Sequence, residues 1–386
     1  MSGNYLVLMK PSRIRSIDAL RGLVMIVMAL DHIRDYFHYD AFKHDPLNLL
    51  YSPYPLFLTR WITHFCAPTF IFLTGVSAYL YGLKHTKNEL SKFLFTRGLW
   101  LVFLELTVVA IGWRFGFDLH HFILMVIWAI GVSMIFLALM IRLPYPFVLL
   151  TGLAIVLLHN LTDSVHFTEG TFVNDLWILL HQEGGFKIGE SISVFVLYPI
   201  LPYLGLICVG YGFGKLFSPE MEAGKRKRML LLTGSLCIAV FIVLRYINVY
   251  GDPHPWEHQI PTKYTFLSFI NCTKYPVSLL FALMILGPSI LFLYFFDGVQ
   301  NWLTKILTTI GKVPMFYYII HLYLIHAIAF LTEKPNPDSP MNETGQFHLG
   351  TVYLIWVGVV LVLYFPCAWY GKYKSAHPEK WWLSYL

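Results

Sequence analysis

The apolar residues of this chain gather into long runs, separated by polar stretches, instead of forming narrow amphipathic stripes. A membrane-spanning helix needs roughly 20 mostly apolar residues. Runs of that kind are predicted at residues 16–37, 61–82, 93–113, 122–141, 146–158, 192–214, 229–250, 276–296, 313–331 and 349–370. The fifth is short, and the sixth holds Pro199 and Pro202, which predict a kink or a late start. The fold class expected is all-α: a polytopic transmembrane bundle of about ten spanning helices, with room for an eleventh. Residues 1–386 read as a single membrane domain, because neither an internal repeat nor a separate soluble domain is visible.

Composition agrees with the pattern. The chain is 57% hydrophobic and only 13% charged, against about 25% charged residues in soluble domains. Its partner is therefore expected to be the lipid bilayer. The 31 Phe, 24 Tyr and 11 Trp suit lipid interfaces. The net charge of +6 is a matter of topology. With ten spans and the N-terminus inside, most Lys and Arg residues fall in cytoplasmic segments, among them Lys84, Lys87, Lys92, Arg97, the run Lys225-Arg226-Lys227-Arg228, and Lys372, Lys374 and Lys380. Outer segments hold Arg34, Lys43, Arg60, Arg114, Lys187, Lys263, Lys274 and Lys334. That excess places both termini in the cytoplasm of a protein in the cell (inner) membrane, and nucleic acid is not an expected partner. Cys66, Cys208, Cys237, Cys272 and Cys367 lie in or beside apolar runs and read as packing residues. No cleavable signal is read: charged Arg13, Arg15, Asp18 and Arg21 precede the first run, and no small-residue cleavage site follows it.

The long outer stretches 33–60, 159–190, 250–274 and 332–348 hold most of the carboxylates and histidines, and the densest cluster is Asp31-His32-Ile33-Arg34-Asp35. Helical spacing brings His32 to Asp35 at i,i+3 and Asp31 to Asp35 at i,i+4. At 1.5 Å per residue, His32 stands roughly 24 Å above Ser16, near the outer hydrocarbon boundary. A histidine there, oriented by Asp31 or Asp35, is a candidate general base, since its unperturbed pKa of about 6.5 is near working pH. His64, ahead of Pro68, is expected at the same depth on the adjoining helix.

Glu105 stands alone in the third run, and Arg21 or Arg245 are its expected intramembrane partners. Asp18 and Arg21 are placed to pair at i,i+3. His321 and His326 are five apart and face different ways, which makes them a poor metal pair. His254 and His258 permit a weak surface site, but no metal is expected. Gly210-Tyr211-Gly212-Phe213-Gly214 reads as close helix packing. The sequons at Asn160, Asn271 and Asn342 fall on the outer side.

These residues also carry a family likeness. Arg13-Ile14-Arg15-Ser16-Ile17-Asp18-Ala19-Leu20-Arg21-Gly22, running into Asp31-His32-Ile33-Arg34-Asp35, resembles bacterial membrane proteins that are similar to the catalytic domain of heparan-α-glucosaminide N-acetyltransferase. Residues 57–68, Tyr250-Gly251-Asp252-Pro253, Lys274-Tyr275-Pro276 and Gly311-Lys312-Val313-Pro314 extend the likeness along almost the whole chain. Arg21 and His32 are also similar to the first-helix motif of the wider transmembrane acyltransferase superfamily.

The resemblance implies a membrane-embedded acyltransferase that moves an acetyl group from cytoplasmic acetyl-CoA, its acyl donor, to a sugar or glycan acceptor at the outer face. It implies His32 as base or acyl acceptor, Asp31 or Asp35 as its orienting group, and His64 at the oxyanion or leaving thiolate. Arg21, Arg245 and Lys274 become candidates for holding the donor. In the animal-type enzyme the first helix ends in an asparagine near this position, and the active histidine lies in the following loop. His44 occupies a comparable loop here, so His32, His44 and His64 stay open as the active histidine. A homodimer is compatible with the reading. The competing classes are an exporter of glycans or small anions, to which intramembrane Glu105 and Arg245 would be suited, and a non-catalytic membrane scaffold or sensor.

Overall fold

Lipid offers no hydrogen bonds, so a spanning segment has to satisfy its own backbone, and the apolar runs accordingly fold as helices. The computed structural model describes residues 14–41, 43–116, 118–332 and 346–385; Arg13, Lys334, Asn342 and the resemblance or topology assigned to them lie outside the described residues. In chain order the helices are α1 (Arg15–Phe37), α2 (Tyr54–Thr63), α3 (Cys66–Gly82), α4 (Lys87–Leu104), α5 (Ala110–Arg114), α6 (Val126–Met140), α7 (Tyr145–Leu158) and α8 (Phe172–Leu180). They continue with α9 (Ile200–Phe213), α10 (Ala223–Ile247), α11 (Lys263–Ile270), α12 (Leu279–Phe296), α13 (Trp302–Gly311), α14 (Pro314–Thr332) and α15 (Leu349–Ala376). Two pairs act as continuous rods: α2 runs into α3, and α4 runs through the π-helical turn Glu105–Val109 into α5.

Among the described residues, 8 helical segments are long and apolar enough to cross a membrane. They are the two rods together with α7, α9, α10, α12, α14 and α15. Two further expected spans do not meet that measure. Helix α1 carries Asp18, Arg21, Asp31, Arg34 and Asp35, and α6 has only 15 residues. Helix α6 packs on α4 and α9 and leaves Phe136 and Leu139 exposed, while α1 lies inside the bundle. Helix α1 packs against α2, α3, α12, α13, α14 and α15, while exposed apolar residues such as Leu236, Leu354 and Phe365 cover the outward faces of α10 and α15.

Close backbone contact fixes the inner half of α1. A Cβ at Gly311 would stand 1.8 Å from the carbonyl oxygen of Asp18, and one at Gly22 would stand 1.9 Å from that of Leu307. Only glycine lets α1 and α13 touch there. The glycine-rich stretch of α9 behaves as expected of small residues in membrane helices: a Cβ at Gly210 would lie 2.1 Å from the oxygen of Phe72 on α3.

The all-α expectation needs one correction. Residues 121–124 and 192–196, expected to begin spanning helices, instead form β1 (His121–Leu124) and β3 (Ile192–Val196), joined by β2 (Gly184–Ile188). The order is β1-β3-β2, with β1 parallel and β2 antiparallel to β3; Phe122 faces Val194 and Gly185 faces Phe195. A short apolar run bounded by turns suits a strand as well as a helix, and the β-branched Ile192, Val194 and Val196 favour the strand. Helix α9 then starts late, with Pro199 as its N-cap.

Glu105 also departs from expectation. Neither Arg21 nor Arg245 pairs with it. Its carboxyl accepts from the backbone N–H of Trp128 at 3.0 Å and from that of Ile127, in the first turn of α6. Helix α6 follows directly on β1, and its N-cap residue Met125 supplies no side-chain bond. The π turn of the neighbouring rod thus caps it from outside, a use of the positive helix end by an acceptor. We expect Glu105→Ala to destabilise the protein by about 1–3 kcal/mol, read as a lower thermal midpoint in detergent; an unchanged midpoint would show that α6 does not depend on this cap.

Candidate active site

The outer end of α1 is held by charge. Asp31 accepts from Arg60 Nη1 through both carboxylate oxygens at 2.7 and 2.6 Å, and from Thr63 Oγ1 at 2.9 Å; both partners lie on α2. Arg34, one turn along α1, approaches the same carboxylate at 3.0 Å and also pairs with Asp35. The spacing thus does bring Asp31 and Asp35 together, but around Arg34 and Arg60 and not around His32. Among the described residues neither carboxylate is hydrogen-bonded to His32, the contact that the expected orienting role calls for.

His32 is oriented from another helix. Its Nδ1 lies 2.8 Å from Nε2 of His321 on α14, and Nδ1 of His321 lies 2.9 Å from the carbonyl oxygen of Tyr317. A carbonyl only accepts, so Nδ1 of His321 carries the proton and its Nε2, in the neutral ring, is the acceptor. Nδ1–H of His32 therefore donates to it, and Nε2 of His32 is left with the free lone pair. Trp113 packs edge-on to the His32 ring at 4.9 Å and Tyr318 at 6.1 Å. His326 faces elsewhere: its Nδ1 donates to the carbonyl of Gly112 at 2.9 Å, and its ring stacks on Phe115.

Two cavities meet at His32. One, of ≈ 360 Å³, opens among His38, His44, Asp45 and Leu56. The other, of ≈ 150 Å³, runs the opposite way past Cys66, Phe70, Thr74 and Arg97 to Pro314 and Met315 in the first turn of α14. Asp31, His32, Val126, Tyr198, Lys274 and Tyr318 line both. Val126 is the first residue of α6, so the cap from Glu105 also fixes a cavity wall. The remaining expected site residues divide. Lys274 is at the junction and buried. His44 lines the larger cavity and stacks on Tyr51 at 4.9 Å.

His64 does not join them. It is wholly buried against Phe281, outside the lining of either cavity, with neither ring nitrogen hydrogen-bonded among the described residues. Arg21 pairs with Asp18 at 3.2 Å and bonds Ser77 on α3, tying helices together below the site. Arg245 lines neither cavity: it donates to the carbonyls of Phe269, His254, Ser268 and Asn271 at 2.7 to 3.1 Å.

A histidine with one free nitrogen, set among buried cations where two cavities join within a helical bundle, suits group transfer. The comparisons with known proteins name the chemistry. The profile of the family described as heparan-alpha-glucosaminide N-acetyltransferase, catalytic, matches residues 13–245. The chain belongs to that family. It is accordingly a multi-pass membrane protein of an acetyltransferase family. No curated protein matches the chain. The family match spans α1 to α10 and includes Asp31, His32, Arg60 and Tyr198, whereas Lys274, Tyr318 and His321 complete the site from beyond it.

Tyr198, Tyr318 and the partnership of His321 were not expected from the sequence, and Arg97 was read only as a topology marker. An intramembrane histidine such as His321 was itself a signal, since ionisable groups in spans are usually functional, but the helix that receives it lies 289 residues away in the chain. The reassignment of Arg245 has a direct check. Arg245→Met orphans buried carbonyls and is expected to destabilise the protein by about 3 kcal/mol, with KM for the acyl donor unchanged; a rise in KM at native stability would restore a binding role.

Proposed function

We propose that this protein transfers an acetyl group from acetyl-CoA, supplied on the cytoplasmic side, to a hydroxyl or amine of a sugar or glycan acceptor presented at the outer face. The observation that carries the reading is the meeting of two oppositely directed cavities at the free nitrogen of His32. The smaller one passes Arg97, whose charge complements CoA phosphates. The larger one, with His44 and Asp45 in its wall, has room and hydrogen-bonding groups for a sugar.

In the reaction, Nε2 of His32 accepts the proton of the acceptor O–H or N–H as that atom attacks the thioester carbonyl. Lys274 is the cation placed to stabilise the developing oxyanion. Collapse breaks the C–S bond, and the proton returns from His32 to the CoA thiolate. His321 holds the His32 tautomer that makes this exchange workable, as a positioning residue. Asp31, neutralised by Arg60 and Arg34, keeps the end of α1 in place.

The test uses purified protein in nanodiscs with radiolabelled acetyl-CoA and a panel of amino sugars and glycans. His32→Ala is expected to lower kcat by about 10²–10⁴-fold. His321→Ala should lose much of the same rate with KM little changed, whereas His64→Ala should stay near native. Label transfer that persists in folded His32→Ala would overturn the assignment, and substrate accumulation in proteoliposomes without acetyl-CoA would favour the exporter. The direction of entry is checked separately: Thr74→Trp, which fills the smaller cavity, is expected to raise KM for the donor about tenfold while leaving the acceptor KM near native.

A further inference from the structure

We propose that His159, Asp163 and His181 form a zinc site that clamps the outer segment after α7 to the bundle. His159 opens the 3₁₀ turn His159–Thr162 at the end of α7, Asp163 follows that turn, and His181 is the C-cap of α8. One ligand atom from each residue lies within 4.8 Å of the others. Both rings are buried, His159 at 5% and His181 at 1% exposure, and each keeps an Nδ1 without a hydrogen-bond partner among the described residues.

The carboxylate is already aimed. Asp163 Oδ2 accepts from Asn160 Nδ2 at 2.8 Å, and Asn160 Oδ1 accepts from the backbone N–H of Leu279 at the start of α12, also at 2.8 Å. Oδ1 is thereby turned toward Nε2 of His181, 3.1 Å away. Zinc bonds of about 2.0–2.2 Å in a tetrahedron set neighbouring ligand atoms roughly 3.3 Å apart, so this edge needs little change. The hydrogen bond between His181 Nε2 and Asp163 leaves Nδ1 of His159 unpartnered among the described residues; a cation held by Asp163 Oδ1 and His181 Nε2 would take His159 as its third ligand, with a solvent oxygen to complete the tetrahedron. Two imidazoles and one carboxylate suit zinc, whereas calcium and magnesium want oxygen ligands.

The site has a mechanical consequence. Strand β2 begins at Gly184, just after His181, and pairs with β3, which leads into Leu197 and Tyr198 in the cavity wall. The Asn160 contact reaches α12, just beyond Lys274. A bound ion would therefore hold the segments that carry Tyr198 and Lys274 against each other.

The test strips purified full-length protein with a chelator and titrates it with zinc chloride. Saturable uptake of about one zinc per chain, surviving gel filtration, and a raised thermal midpoint are expected. His159→Gln/His181→Gln should weaken binding at least about tenfold, whereas His120→Ala/His121→Ala, which removes an exposed histidine pair beside Asp118, should leave it unchanged. Cobalt(II) added to the native protein reads the geometry without a variant, and tetrahedral visible absorption is expected. Absence of saturable uptake, a six-coordinate cobalt spectrum, or zinc affinity that follows His120 and His121 would overturn the proposal.

Discussion

A carboxylate carried into a helical bundle within lipid has to be met by protein, because the hydrocarbon supplies neither water nor counter-ion. Asp31 imposes that constraint here. Arg60 and Thr63 on α2 and Arg34 on α1 converge on it, which locks the outer end of α1 to the rod beside it. Removing Asp31 would strip the Arg60 guanidinium of its carboxylate partner, far costlier than a lost surface ion pair. At the other end, the glycine contact between Gly22 and Gly311 sets how closely α13 approaches. With both ends fixed, His32 has one direction left to face, toward α14 and the two cavities.

The polar groups inside the bundle then separate by whether their bonding is complete. Glu105 accepts from the first turn of α6, Arg245 donates to four carbonyls at the end of α11 and in the loops beside it, and Asn160 links Asp163 to α12. Each joins elements that the hydrophobic effect alone would not place in register, since lipid tails are as apolar as the helices. His32 and Lys274 are different. One ring nitrogen of His32 has no hydrogen-bond partner among the described residues, and Lys274, bonded to the Tyr275 hydroxyl, lines the same junction. Arg245, as conspicuous in the sequence as Lys274, spends its guanidinium on those carbonyls and lines neither cavity.

Membership of an acetyltransferase family gives that junction a meaning consistent with its shape. Group transfer needs both reactants brought to one place, and a point where two cavities join provides it. The walls of the meeting place come from elements far apart in the chain: α1, the start of α6, the loop before α12, and α14. Rigid neighbours hold each of them, through the α6 cap, the small sheet leading into Tyr198, and the packing of α1 on α14. Preorganisation of this kind keeps the groups at the junction in place without reorganisation of their surroundings.

The sequence by itself determined the membrane class, most helix positions and the ionisable end of α1, because apolar run length and the cost of intramembrane charge are local properties that composition displays directly. It also carried the family likeness, in short motifs. Tertiary structure alone decided the rest. Residues 121–124 and 192–196 are strands because they found each other as partners, and Glu105 is a cap because α6 starts beside it. His64, at the expected depth, is rotated onto Phe281 and away from the cavities. His321 became the orienting partner of His32 across 289 residues of chain. Periodicity fixes the depth of a residue along a helix, but the direction it faces and the group it meets depend on how helices pack, which is a property of the assembled bundle and of no single segment.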